Sequence, residues 1–277
     1  MEMRRRTLEV DLEWGLEWAL RIGAFLCFVG HGAFGIMTKE AWVPYFAVAG
    51  IGPVRAFQLM PVVGAIDILL GTLTLVRPRA VWLIYMVVWA LWTAALRPLA
   101  GEPFWEALER AGNYGVPFAL LLLSQVSRDW RSWFASARMR PLTPSLTKQV
   151  RVALAVTTAL LLIGHGALAV TQKPMLVSHN ALLSLSVDPA ALTSMLGWTE
   201  IGLGMLVLWR QSIGLCLFLF SWKLATESLF LAAGAPIWEF VERGGSYAAP
   251  LALALLLAHK RAEAQRILPA NSIARAP

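Results

Sequence analysis

The chain has 277 residues, of which 58% are hydrophobic and only 15% charged, with thirteen tryptophans and a mean hydropathy of +0.61. A water-soluble domain carries about 45–50% apolar and about 25% charged residues, so the composition excludes one and points to an integral membrane protein. The formal net charge of +7 comes without basic and aromatic residues interleaved for nucleic acid, and two cysteines with no Cys-x-x-Cys speak against disulfide frameworks, zinc ribbons, iron–sulfur clusters and dithiol chemistry.

Residues 1–17 carry Arg4, Arg5 and Arg6, then Leu8, Leu12, Leu16, Trp14 and, just beyond, Trp18, as in an amphipathic interfacial helix. A signal peptide is the competing reading, set aside because the apolar run that follows has an internal counterpart. Eight apolar stretches then lie near 18–38, 54–76, 80–97, 113–127, 152–171, 190–209, 212–231 and 246–259. Crossing a bilayer takes about 20 apolar residues. The runs are continuous rather than alternating, which predicts helices and not barrel strands. Arg77-Pro78-Arg79 and Trp209-Arg210-Gln211 break the runs, and Asp188-Pro189 reads as an N-cap followed by a first-turn proline.

Basic residues set the orientation. Arg77, Arg79, Arg128, Arg131, Arg138, Arg140, Lys148, Arg151, Arg210, Lys260, Arg261 and Arg266 join Arg4–Arg6 on one side; Lys39, Arg55, Arg97, Arg110, Lys173 and Arg243 fall on the other. Both termini are therefore expected on the cytoplasmic side of a bacterial-type cytoplasmic membrane. The basic excess becomes a topology signal, with contacts to anionic lipid head groups.

The sequence repeats itself. Pro103-Phe104-Trp105-Glu106-Ala107-Leu108-Glu109-Arg110, with Gly112 and Tyr114, recurs as Pro236-Ile237-Trp238-Glu239-Phe240-Val241-Glu242-Arg243, with Gly245 and Tyr247, at an offset of 133 (238 − 105). Gly30-His31-Gly32-Ala33 recurs as Gly164-His165-Gly166-Ala167, and Lys39 as Lys173, at 134 (165 − 31). Gly64, Asp67 and Gly71 match Gly197, Glu200 and Gly204 at 133 (200 − 67). The expected fold is all-α: eight transmembrane helices arranged as two parallel four-helix repeats with pseudo-two-fold symmetry. The first repeat covers 18–127 and the second 151–260, joined by a basic cytoplasmic linker at 128–150 and followed by a cytoplasmic tail at 261–277.

A charge at the centre of a span costs on the order of 2.5–3.5 kcal/mol, so ionisable groups there are functional candidates. Asp67 and Glu200 sit near the middle of the second span of each repeat, each on a face with two glycines that lets a neighbouring helix approach. His31 and His165 sit on the first spans. One reading of each His–carboxylate pair is a proton-handling site at a quinone or substrate cavity; the other is a hydrogen bond that glues helices. The second repeat adds Lys223 and Glu227, four apart, where the first has Ala90 and Ala94. These two either neutralise each other or line a polar cavity with His165 and Glu200, which would make the second repeat the active half. Trp105, Glu106, Glu109 and Arg110, with their repeat partners, read as interface anchors or as a docking surface for an extracytoplasmic partner. His31 and His165 would suit axial haem ligands, yet nothing else supports a haem, and no metal-ligand spacing occurs.

The first-span Gly-His-Gly followed by Lys, with the second-span acid four residues before Gly71 or Gly204 and a basic turn at Arg77 or Arg210, resembles the DoxX/DoxD-like family of four-helix membrane proteins. This chain departs from the family in being a tandem fusion and in carrying Asp67 where Glu is usual. The resemblance implies a membrane subunit of a quinone-linked oxidoreductase system working beside other membrane or peripheral subunits. Glu200 and His165, with Asp67 and His31 as pseudo-equivalents, would bind or relay protons, and Lys223 and Glu227 would line the cavity. A small-solute or proton carrier and a non-catalytic structural subunit are the alternatives.

Overall fold

The structure, a computed structural model, describes residues 2–124, 126, 129–136 and 139–273, with side chains described between 10 and 265. The side chains of Arg4, Arg5, Arg6, Leu8 and Arg266, together with Arg128, Arg138 and residues 274–277, lie outside the described residues. Among those described the protein is helical, with two isolated bridges and no strand.

Twelve α-helices follow in order: α1 (Glu2–Ile36), α2 (Val43–Val48), α3 (Pro53–Val76), α4 (Ala80–Leu99), α5 (Trp105–Glu109), α6 (Ala111–Leu123), α7 (Pro144–Val170), α8 (Pro174–Ala181), α9 (Pro189–Trp209), α10 (Ile213–Ala232), α11 (Ile237–Val241) and α12 (Gly244–Ile273). Their starts follow from local chemistry. Proline opens α3, α7, α8 and α9, where its missing N–H costs nothing. The side chains of Thr143, Asp188 and Ser212 accept hydrogen bonds from Leu146, Ala191 and Leu215 N–H, capping α7, α9 and α10. The Asp188-Pro189 cap is the one expected from the sequence. Beyond α4 and α10 the chain turns through Gly101 (φ 94°) and Gly234 (φ 80°), a left-handed conformation that favours glycine.

Among the described residues six helices are long and apolar enough to cross a membrane: α1 over Val10–Ile36, α3, α4, α7, α9 and α10. Eight were expected. The stretch near 113–127 forms only the 13-residue α6, and the stretch near 246–259 belongs to a longer helix whose apolar part ends at His259-Lys260-Arg261. The segment 1–17 is not a separate element, because α1 runs without a break from Glu2 into the first span.

Burial sorts the helices into inner and outer sets. The apolar windows of α1 and α7 are 56% and 72% buried, against 28–33% for α3, α4, α9 and α10. The inner pair, α1 and α7, packs with α6 and α12 around Leu20, Ala24, Leu120, Leu154, Leu162 and Leu253. The outer helices lean on this centre, α3 against α1, α9 against α7, α4 against α6 and α10 against α12.

Lipid tails are as apolar as leucine, so such helices associate through close packing rather than hydrophobic transfer. Glycine supplies the closeness. A methyl group added at Gly32 would stand 2.6 Å from the Gly64 carbonyl oxygen, and one at Gly166 would stand 2.5 Å from that of Gly197. Gly30 of α1 lies against the Glu242 backbone, Gly164 of α7 against that of Glu109, and Gly112 against Gly245. Each inner helix therefore packs on the short helix that belongs to the other half of the sequence.

Candidate functional site

The glycine contacts bring two His–carboxylate pairs together. His31 Nδ1 on α1 is 2.7 Å from Asp67 Oδ2 on α3, and His165 Nδ1 on α7 hydrogen-bonds Glu200 Oε2 on α9. Both carboxylates are buried. Their second oxygens differ. Glu200 Oε1 accepts from Trp222 Nε1 at 2.9 Å and lies 3.6 Å from Lys223 Nζ. Asp67 is one methylene shorter, and its Oδ1 has no hydrogen-bond partner among the described residues; neither has the buried Nε1 of Trp89, the counterpart of Trp222 (222 − 89 is 133).

From Glu200 a chain of ion pairs runs outward. Lys223 Nζ is 2.7 Å from Glu227 Oε1, and Glu227 Oε2 is 2.7 Å from Arg243 Nε. Arg243 also meets Glu239 (2.9 Å) and Glu242 (3.4 Å), and Glu239 is 2.7 Å from Lys39 of the first half. Burial alone would raise the Glu239 carboxyl, but Arg243 and Lys39 outweigh it and hold the group at about 2. In the matching cluster Lys173 Nζ of the second half reaches Glu106 Oε1 of the first at 2.5 Å, and Arg110 meets Glu106 (2.9 Å) and Glu109 (3.2 Å). That chain goes no further toward Asp67, because Ala90 and Ala94 stand where the second half has Lys223 and Glu227.

A cavity of about 340 Å³ opens beside these groups. Its polar wall holds His31, Arg97, Glu109, Arg110, Asn113, Lys223, Glu227, Glu242, Arg243 and Ser246. Its apolar wall holds Trp42, Tyr45, Phe46, Ile51, Leu59, Val62, Val63, Trp89, Trp92 and Leu96. The His31 ring stacks on Trp42 with centroids 4.4 Å apart. His165 and Glu200 line a second, much smaller cavity of about 20 Å³ with His179, Asn180 and Phe230. There Phe230 meets His179 edge-on, and the Arg243 guanidinium lies 3.8 Å from the Phe230 ring centroid.

Of the six residues singled out from the sequence, His31, Lys223 and Glu227 line the large cavity and His165 and Glu200 the small one. Asp67 sits behind His31 and lines neither. Lys223 and Glu227 form an ion pair and line the large cavity, but His165 and Glu200 line the other, so the four residues do not share the one polar cavity expected of them. His31 and His165 open onto different cavities. Among the described residues no group of three or more His, Cys, Asp or Glu side chains is placed to hold a metal ion.

Sequence reasoning missed Glu109, Arg110, Glu242 and Arg243 as cavity residues, having placed their segments at the membrane interface. Their recurrence in both halves was the available signal. What it lacked was the inward turn of α5 and α11, set by glycines on the facing helices. Compared with known proteins, the chain matches no protein-family model, no curated protein and no solved structure.

Proposed function

We propose that this chain is a DoxX-like membrane subunit of a quinone-linked oxidoreductase system, acting beside partner subunits that exchange electrons with the quinone. The architecture proposed with it has eight membrane crossings in two parallel four-helix repeats about a pseudo-two-fold axis, with both termini on the cytoplasmic side of a bacterial-type cytoplasmic membrane. Matched contacts support that architecture. Gly32–Gly64 answers Gly166–Gly197, His31–Asp67 answers His165–Glu200, and Lys39–Glu239 answers Lys173–Glu106. The fourth and eighth crossings fall on α6 and α12, which lie at the centre of the bundle and can be shorter or less apolar because protein rather than lipid surrounds them.

The functional reading is carried by the large cavity, which sets five aromatic rings and an array of ionisable groups inside a bundle of membrane-type helices. Its volume falls in the range of small-molecule sites, about 300–1,000 Å³. Aromatic walls suit a flat ring, and the inner groups offer hydrogen bonds to ring oxygens. A bound quinone would supply the carriage of electrons and protons between the bilayer and the partner subunit. The chain's own part is narrower. Asp67 fixes the His31 ring through Nδ1, which leaves Nε2 as the atom that accepts or returns a proton at the ligand. The walls hold the ring and exclude water.

Mass spectrometry of lipid-soluble molecules that copurify with the protein tests this, together with titration of decyl-quinone against thermal unfolding. At a hundredfold excess over the dissociation constant a ligand stabilises by about 2.7 kcal/mol, so a saturable rise in unfolding temperature is expected. No copurifying quinone and no such rise would overturn the reading.

A further inference from the structure

We infer that the cavity is entered sideways from the bilayer, between α3 and α4, and that the cavity against His31, not the one against His165, takes the ligand: an amphiphile whose neutral, aromatic hydroxyl head rests against His31 while its apolar tail leaves past Val62 and Trp92. This rests on the cavity being a ligand site, as proposed above, and adds which of the two cavities is used, by what route and by which head chemistry.

The route comes from packing. Helices α3 and α4 are joined by a tight turn, yet they touch each other sparingly, because α3 is committed to α1 and α4 to α6. In the gap, Val62 and Trp92 both line the cavity and face outward, 54% and 45% exposed. On the outer surface of a membrane bundle that exposure is to lipid, so the opening lies within the plane of the bilayer.

The choice of cavity comes from what fills each copy. Phe230 occupies the position matching Arg97, and His179 the one matching Tyr45; the two rings meet and leave about 20 Å³. Glu200 is answered by His165, Trp222 and Lys223. In the first half Asp67 Oδ1 and Trp89 Nε1 have no hydrogen-bond partner among the described residues. A buried polar atom left unpaired costs about 1–3 kcal/mol, and Trp89, unlike Asp67, lines the large cavity, so a hydroxyl oxygen there can accept from its Nε1.

Charge sets the head group. Around the wall Arg97 is met by Glu102, Arg110 by Glu109, and Lys223 and Arg243 by Glu227, so among the described residues each lining cation already has an anionic partner. A neutral hydroxyl fits better: it donates to His31 Nε2, and its ring lies among Trp42, Trp89 and Trp92.

The test uses the full chain in nanodiscs and a decyl hydroquinone carrying a diazirine on its alkyl chain, with labelled peptides mapped by mass spectrometry. Labelling is expected around Val62 and Trp92 and not at their counterparts Met195 and Ala225. Val63→Trp, which narrows the passage, should reduce labelling at least about tenfold. His31→Leu should weaken binding by about tenfold, the loss of one hydrogen bond. Should Val63→Trp fail to fold, the map of the unaltered protein decides. Labelling on α9 and α10 overturns the choice of cavity, and labelling spread evenly over the outer helices overturns the lateral route. Quinone that copurifies without labelling between α3 and α4 sinks the route and leaves the functional proposal standing. Labelling there by a diazirine alkylphenol when no quinone binds does the reverse.

Discussion

Glu227 is the carboxylate shared by two buried cations, Lys223 at 2.7 Å and Arg243 at 2.7 Å, and it is 2% exposed. Replacing it with leucine leaves Lys223, 1% exposed, with only Glu200 at 3.6 Å. Removing one partner of a buried ion pair costs about 3–5 kcal/mol, because an uncompensated charge stays behind. Lys223→Met together with Glu227→Leu removes both charges at nearly constant volume. Arg243 then keeps Glu239 and Glu242, and Glu200 keeps His165 and Trp222. Exchanging a whole buried pair for apolar groups is often neutral or stabilising, and the first half already carries alanine at both matching positions. The double variant is therefore expected within about 1–2 kcal/mol of the parent, well above Glu227→Leu alone. Equilibrium unfolding by SDS titration in mixed micelles, followed by tryptophan fluorescence, measures all three proteins. A double variant at least as unstable as Glu227→Leu would refute the reasoning, since the cost would then lie in lost packing and not in a stranded lysine.

Gly64→Leu should separate α1 from α3 and lower the unfolding temperature by several degrees, because even a methyl group there would intrude on the Gly32 carbonyl and the Ile36 backbone; the same substitution at exposed Gly202, beside which a Cβ would meet nothing within 4 Å, should have little effect. Differential scanning fluorimetry distinguishes the two. Glu239 titrates near 2 in the folded protein, below an unfolded value of about 4.3, so its stabilising contribution is complete above about 4.3 and fades as pH falls toward 2. The gap in unfolding temperature between the parent and Glu239→Gln should thus stay constant from pH 8 to pH 5 and narrow only below about pH 4. A gap that closes between pH 7 and pH 5 would contradict the ion pairs drawn to Lys39 and Arg243.

Legibility in the sequence followed the range of the interactions. Helical spans came from uninterrupted apolar runs, and the pairing of His31 with Asp67 and of His165 with Glu200 could be anticipated because glycines three and four residues from each acid marked the face on which a helix would approach. The shortness of α6 was not legible, since hydropathy does not distinguish protein-surrounded apolar residues from lipid-facing ones. Nor was the position of the large cavity. It depends on α3 and α4 packing elsewhere and on Phe230 filling one half where Arg97 leaves the other open, and neither has a local signature. Least visible were the bridges Lys39–Glu239 and Lys173–Glu106. Their members were noted as repeated residues, but partners 200 and 67 positions apart are chosen by the crossing of the halves.

Those two bridges bear on how the chain assembles. Helices insert in order of synthesis, so α1 to α6 reach the membrane while Glu106 still lacks Lys173 and Lys39 still lacks Glu239. Each half holds out two hooks that only the other can catch, and Gly30 and Gly164 keep empty seats for backbone that comes from the opposite copy. Assembly is thus expected to end in a late docking of the two halves, gripped by these bridges and glycine seats. Residues 1–127 and 144–277 made as separate chains in one membrane should find each other and close the same interface.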